Sequence, residues 1–222
     1  MSGARPNAAA DEEFDAHDAV RKSRLRLADY LDDLEPDDWT RPSLCEGWTV
    51  SDVVAHLSLS TTETWRDFIV GMIRNLGNFD RWNATSARDQ ARRHIPHKLV
   101  TILRDQADSR DHSPGSSTLD QLVDLLVHGQ DISRAIDSPF EMPLIPAVEA
   151  FEHALGSRWY GAKKRFSGIR LSATDTHWES GTGHEIRGPV SSLLLLATGR
   201  EAGLAQVEGP GVDTVGSRIR SA

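Results

Sequence analysis

From Asp15 to Leu34 apolar residues recur at helical spacing, with Val20, Leu25, Leu27, Tyr30, Leu31 and Leu34 forming a stripe between charged positions. This predicts a first helix, ended by Pro36. Residues 35–48 hold Pro36, Pro42 and Gly47 and read as a loop, with Trp39 and Trp48 as anchors onto a core. A second helix is expected from Thr49, because Thr49 to Asp52 resembles a capping box with Asp in place of the usual Glu or Gln. Its stripe continues through Val53, Val54, Leu57, Trp65, Phe68, Ile69, Met72 and Ile73 and stops near Gly77. Residues 83–109 suit a weakly patterned helix that Pro96 must start, kink or break, and Pro114-Gly115 is a firm break. Thr118 to Gln121 reads as a second capping box. It opens the most apolar helix of the chain, with Leu119, Leu122, Val123, Leu125, Leu126, Val127, Ile132 and Ile136. A further helix is expected over 146–160, with Pro146 in its first turn.

After Tyr160 the period changes. Ile169 to Thr174 alternates with period two, and Trp178 to Arg187 suits two short strands around a hairpin turn at Gly181-Thr182-Gly183. Gly188-Pro189 then starts a short helix over 190–198, and the Gly-rich remainder offers one more strand or helix. The pattern predicts a mainly α chain: a flexible leader over 1–13, a helical bundle over 14–160 and a small α+β domain over 161–222.

Composition narrows the function classes. The chain has 25 basic and 33 acidic side chains in 222 residues, a formal net charge of −8. That balance argues against nucleic acid as a partner, since phosphate neutralisation needs a basic face. The longest apolar run, Leu193 to Ala197, falls far short of the roughly 18 residues of a membrane span. The opening MSGARPNAAADEEF has no apolar stretch of the secretory kind, so a cytoplasmic protein is expected. A single cysteine, Cys45, excludes an intramolecular disulfide and any multi-cysteine metal site.

The sharpest chemical feature lies inside the apolar helix. Asp124 and His128, four residues apart, project about 40° from each other, and Asp131 returns to nearly the direction of Asp124. Polar groups on a helix that is otherwise apolar need partners, and a metal ion is one. His56, in another apolar helical stretch, is a candidate third donor, because a bundle brings such helices face to face. Three donors of N,N,O type leave an open position, as in catalytic zinc sites. The competing reading makes His56 and His128 hydrogen-bonded core histidines, with Asp131 only orienting His128 or capping a neighbour. Cys45, in a loop just ahead of a helix, reads either as a buried inert thiol or as a stabilised thiolate. HExxH, P-loop, GxSxG and dinucleotide-binding motifs are absent.

The run from Trp39 to Leu57, WTRPSLCEGWTVSDVVAHL, resembles the N-terminal signature of mycothiol-dependent maleylpyruvate isomerase-like proteins, within the DinB/YfiT-like superfamily. Asp124 to Ile132, DLLVHGQDI, resembles their second signature. The stretch from Thr174 through Gly188-Pro189 to Arg200 resembles the small domain that follows the bundle. The resemblance implies an up-and-down four-helix bundle holding a divalent metal, commonly zinc, with His56, Asp124 and His128 as ligands; helical spacing adds Asp131 as a residue that orients His128. Asp124 stands where the founding isomerase has the longer Glu. The implied chemistry uses mycothiol as cosubstrate: its thiolate adds to the cis double bond of maleylpyruvate, the bond rotates, and elimination yields fumarylpyruvate. The substrate is a dianion, and Arg200 or Arg187 is the candidate carboxylate partner.

The sequence supports three readings. The first is a metal-dependent enzyme using a small-molecule thiol, an isomerase or an S-transferase acting on a small electrophile, as monomer or homodimer. The second is a non-catalytic metal-binding or ligand-sensing bundle. The third is a purely structural bundle.

Overall fold

The computed structural model describes residues 14–59, 79–111 and 115–221. The expected leader and the expected continuation of the second helix from Ser60 to Gly77 lie outside these residues. The chain forms two compact units, the first spanning Ala16–Glu141.

In the first unit, α1 (Ala16–Asp32) buries Val20, Leu27 and Leu31 along its stripe. A 3-10 turn at Asp38–Thr40 sinks Trp39 into the core. Helix α2 (Val50–Leu59) begins at the expected capping box: Thr49 N–H donates to Asp52 Oδ2 at 2.9 Å and Asp52 N–H to Thr49 Oγ1 at 3.2 Å. The weakly patterned region divides into α3 (Phe79–Arg93) and α4 (Pro96–Asp105), and Pro96 occupies the first turn of α4, where its missing N–H costs nothing. Helix α5 (Thr118–Ser133) starts one residue earlier than its expected box. Ser117 is the cap, exchanging bonds with Asp120, while Gln121 donates to the Asp111 carbonyl. Helix α1 packs on α4 and α5, and α2 packs on α3, α4 and α5. This ring of packing buries nearly every residue of α5 from Gln121 to Ser133.

The second unit contains α6 (Leu144–Gly156), α7 (Ala162–Arg165), three strands, α8 (Val190–Ala197), a 3-10 turn at Glu201–Gln206 and α9 (Val212–Arg220). Helix α6 begins two residues before the expected Pro146. It packs against α8, so it groups with the C-terminal unit and the division falls after Glu141 rather than near residue 160.

The sheet differs from the expected hairpin. Strands β1 (Ile169–Ala173), β2 (Glu179–Gly181) and β3 (His184–Gly188) lie in the order β2-β1-β3. Strand β1 runs antiparallel to β2, with Leu171 opposite Ser180, and parallel to β3, with Leu171 opposite Ile186. Gly181 and Gly183 therefore do not fold β3 back on β2; they carry the chain across the start of β1. Gly183, at φ +115°, passes so close that a Cβ would collide with the Gly168 carbonyl oxygen. Burial of both Leu171 and Ile186 decides this arrangement. The Asp175 carboxylate receives Val190 N–H at 3.1 and 3.2 Å and so caps α8. No helix among the described residues is long and apolar enough to cross a membrane.

Candidate metal centre

Two helices of the bundle, fixed by their own caps, bring the sequence-derived donors together. His56 lies in the second turn of α2, with Asp124 and His128 one turn apart on α5. His56 Nε2 is 3.8 Å from Asp124 Oδ2, and the two imidazoles meet edge to face with ring centroids 5.1 Å apart. One ligand atom from each of His56, Asp124 and His128 lies within 4.8 Å of the others. Donors around a tetrahedral ion with bonds of about 2.0–2.1 Å sit roughly 3.4 Å apart. The observed spacing closes to that by shifts of a few tenths of an ångström to about an ångström, within ordinary side-chain movement, so these residues fit a small divalent ion.

Burial grades across the site. The Asp131 side chain is 0% exposed, His128 11%, His56 15% and Asp124 43%, so the cluster opens on the Asp124 side. His128 Nδ1 contacts Asp131 Oδ2 at 2.9 Å. With Nδ1–H donating to that carboxylate, Nε2 keeps the lone pair that a ligand needs, the arrangement by which carboxylates orient metal-bound histidines. Asp131 also lies close to Arg134, whose pKa is lowered by burial and partly restored by the Asp131 charge.

Two neighbours were not assigned to this cluster from the sequence. Cys45 Sγ is 3.2 Å from Asp131 Oδ2 and 3.6 Å from His128 Nδ1. The Trp48 ring meets His56 edge to face at a centroid distance of 5.6 Å. Both come from the loop that precedes α2, whose place over α5 follows from long-range packing. The only local signal was the position of Cys45 just ahead of a helix N-terminus.

The arginines expected to meet a dianion lie in the C-terminal unit. Arg187, on β3, exchanges backbone hydrogen bonds with Glu208 at 2.9 Å, and its Nε is 3.9 Å from Glu208 Oε1. Arg200 follows α8 and donates to the Thr198 carbonyl at 3.0 Å; burial, with the Arg200 charge adding to it, lowers the pKa of Arg165.

The family model described as the mycothiol maleylpyruvate isomerase N-terminal domain matches residues 20–133. The chain belongs to this family. All of the clustered residues, from Cys45 to Asp131, fall inside the matched span. Two solved structures share the fold. One is the crystal structure of the mycothiol-dependent maleylpyruvate isomerase, with a TM-score of 0.59 and 14% identity over 88% of this chain and 91% of that one. The other is a histidine-to-alanine mutant of that isomerase, with a TM-score of 0.58, 12% identity and the same coverage. At such identity the likeness speaks for the fold alone, a mainly helical chain of the DinB-like type with a small sheet. No curated protein matches the chain at a significant level.

Proposed function

We propose that the chain is a divalent-metal-dependent enzyme with mycothiol as thiol cosubstrate. It either isomerises a cis double bond in a maleylpyruvate-like dianion or transfers the thiol to a small electrophile. The observation that carries this reading is the convergence of His56, Asp124 and His128 within 4.8 Å at a place open to solvent through Asp124. Membership of a family named for the mycothiol-using isomerase supports the choice of thiol.

In this reading His56, Asp124 and His128 hold the ion, and two imidazoles with one carboxylate suit zinc with a position left open. A bound divalent ion supplies Lewis acidity, which makes a coordinated thiol a far stronger acid than the ordinary value near pKa 8.5. Asp131 keeps His128 in one tautomer and one orientation. Trp48 limits the swing of the His56 ring by lying against it. Asp124, the most exposed of the three, borders the side from which cosubstrate and substrate enter. In the isomerase branch the thiolate adds to one carbon of the cis bond, and the electron pair moves into the adjacent carbonyl as an enolate. The new single bond rotates, and expulsion of the thiolate leaves the trans isomer. Arg187 and Arg200 receive no role in this proposal.

Elemental analysis of purified protein tests the reading first. About one divalent ion per chain is expected, lost in His56→Ala and His128→Ala. Turnover of maleylpyruvate, or conjugation of an electrophile, should require both mycothiol and the metal. Protein that is metal-free as purified, binds no added ion and melts identically with chelator removes the proposal. Protein that binds metal yet turns over no electrophile or cis-enedioic acid with mycothiol leaves a binding bundle in its place.

A further inference from the structure

The proposed chemistry leaves Cys45 unused, yet its surroundings are those of a working part. Its Sγ lies 3.2 Å from Asp131 Oδ2, the same oxygen that contacts His128 Nδ1 at 2.9 Å. One carboxylate oxygen thus meets side chains from two elements, the loop before α2 and helix α5. With Asp131 ionised its carboxylate only accepts, and the thiol and an Nδ1-protonated ring each bring a hydrogen. The loop is fastened to α5 by its backbone as well, since Leu44 N–H donates to the Asp131 carbonyl at 3.0 Å.

The loop is itself stiff. Ser43 N–H and Ser43 Oγ–H both donate to the Trp48 carbonyl, at 2.8 and 2.9 Å, and Cys45 N–H donates to Ser43 Oγ at 3.1 Å. Gly47 makes the reversal with φ +73°, a value that favours glycine. Thiol and Trp48 ring are therefore presented from one braced segment, the first towards Asp131 and the second against His56. A fully buried carboxylate held between two donors cannot turn without breaking both bonds, so anything that fixes Asp131 also fixes His128.

We propose that Cys45 is a positioning residue: acting through Asp131, its thiol fixes the tautomer and orientation of the His128 imidazole. The consequence for metal affinity rests on the ligand assignment above; the consequence for the tautomer does not.

Three substitutions separate the roles. Cys45→Ser keeps a donor, Cys45→Ala removes it, and Cys45→Val removes it while keeping the volume filled. In metal-free protein, nitrogen-15 shifts of the His128 ring report which nitrogen carries the proton. Wild type and Cys45→Ser should show the Nδ1-protonated form, and Cys45→Ala and Cys45→Val a mixture. Cobalt titration should give affinities close to each other for wild type and Cys45→Ser, and about 10–100-fold weaker for the two variants without a donor. Unchanged tautomer and affinity in the alanine and valine variants would overturn the proposal. So would a serine variant that behaves like alanine. A sulfur-to-cobalt charge-transfer band that disappears in Cys45→Ser would make Cys45 a ligand and equally overturn it. Absence of cobalt binding throughout would sink the ligand assignment, and the tautomer comparison would then decide the role of Cys45 alone.

Discussion

His56→Ala is the cleanest perturbation of the bundle site. The ring contributes one of three candidate donors, and it meets Trp48 and His128 edge to face. Removal of His128 would also strip Asp131 of a hydrogen-bond partner in a fully buried position, mixing ligand loss with a folding defect. Four-ligand zinc sites bind with about 10–16 kcal/mol, so one ligand is worth about 3 kcal/mol, or roughly two decades in Kd. Zinc at about 100 times the wild-type Kd stabilises the folded state by about 2.7 kcal/mol. At about 2–4 °C per kcal/mol for a chain of this size, the melting point rises by about 5–11 °C on loading. In His56→Ala the same zinc concentration only equals the weakened Kd, leaving about 0.4 kcal/mol and a rise of about 1–2 °C. Comparing loaded with chelator-treated protein within each variant cancels the lost ring contacts, which affect both melts alike. A variant whose rise on loading equals that of wild type would refute the reasoning, because the ion would then have to sit elsewhere.

Further outcomes follow from individual positions. Asp124→Glu lengthens the carboxylate by one methylene and has solvent to extend into, the side chain being 43% exposed, so competition with a chelator should find zinc affinity within about tenfold of wild type. Asp124→Ala should lose about two decades in the same titration. Gly183→Ala should destabilise the C-terminal unit by about 1–3 kcal/mol in denaturant unfolding, because φ is +115° and the new methyl meets the Gly168 carbonyl. Tyr30 donates to the Ser138 carbonyl at 3.0 Å, and burial raises its pKa above 10.0. The unfolded chain ionises first, so this contribution is full below about pH 10 and is lost as pH rises further. Urea midpoints should fall over that range in wild type and fall less steeply in Tyr30→Phe.

Local patterns made much of the bundle legible. The stripe of Val20, Leu27 and Leu31 and the Thr49–Asp52 box marked α1 and α2 because helix period and capping depend on residues within a few positions of each other. Asp124 and His128 could be paired for the same reason: four residues of helix set their separation. His56 was a different matter. Nothing within its own helix says what it faces; bundle packing made it a candidate partner for α5, and the resemblance to the family named it a ligand. Even the capping box of α5 was displaced by one residue, since Ser117 and Thr118 are both good caps and each has a polar residue three positions later.

What the local pattern could not reach depended on contacts between distant segments. The glycines at 181 and 183 suit a hairpin, yet β3 pairs in parallel with β1, because that register buries Ile186 beside Leu171. Helix α6 looks like a further bundle helix from its stripe alone, and packing against α8 assigned it to the C-terminal unit. Cys45 reads along the chain as an ordinary loop thiol. Its place against Asp131 exists only after the loop has folded over α5, bringing together groups 86 residues apart. Residue order thus set the helices and the direction in which each donor points, whereas burial of apolar surface between remote segments decided which donors share a centre and which groups hold them there.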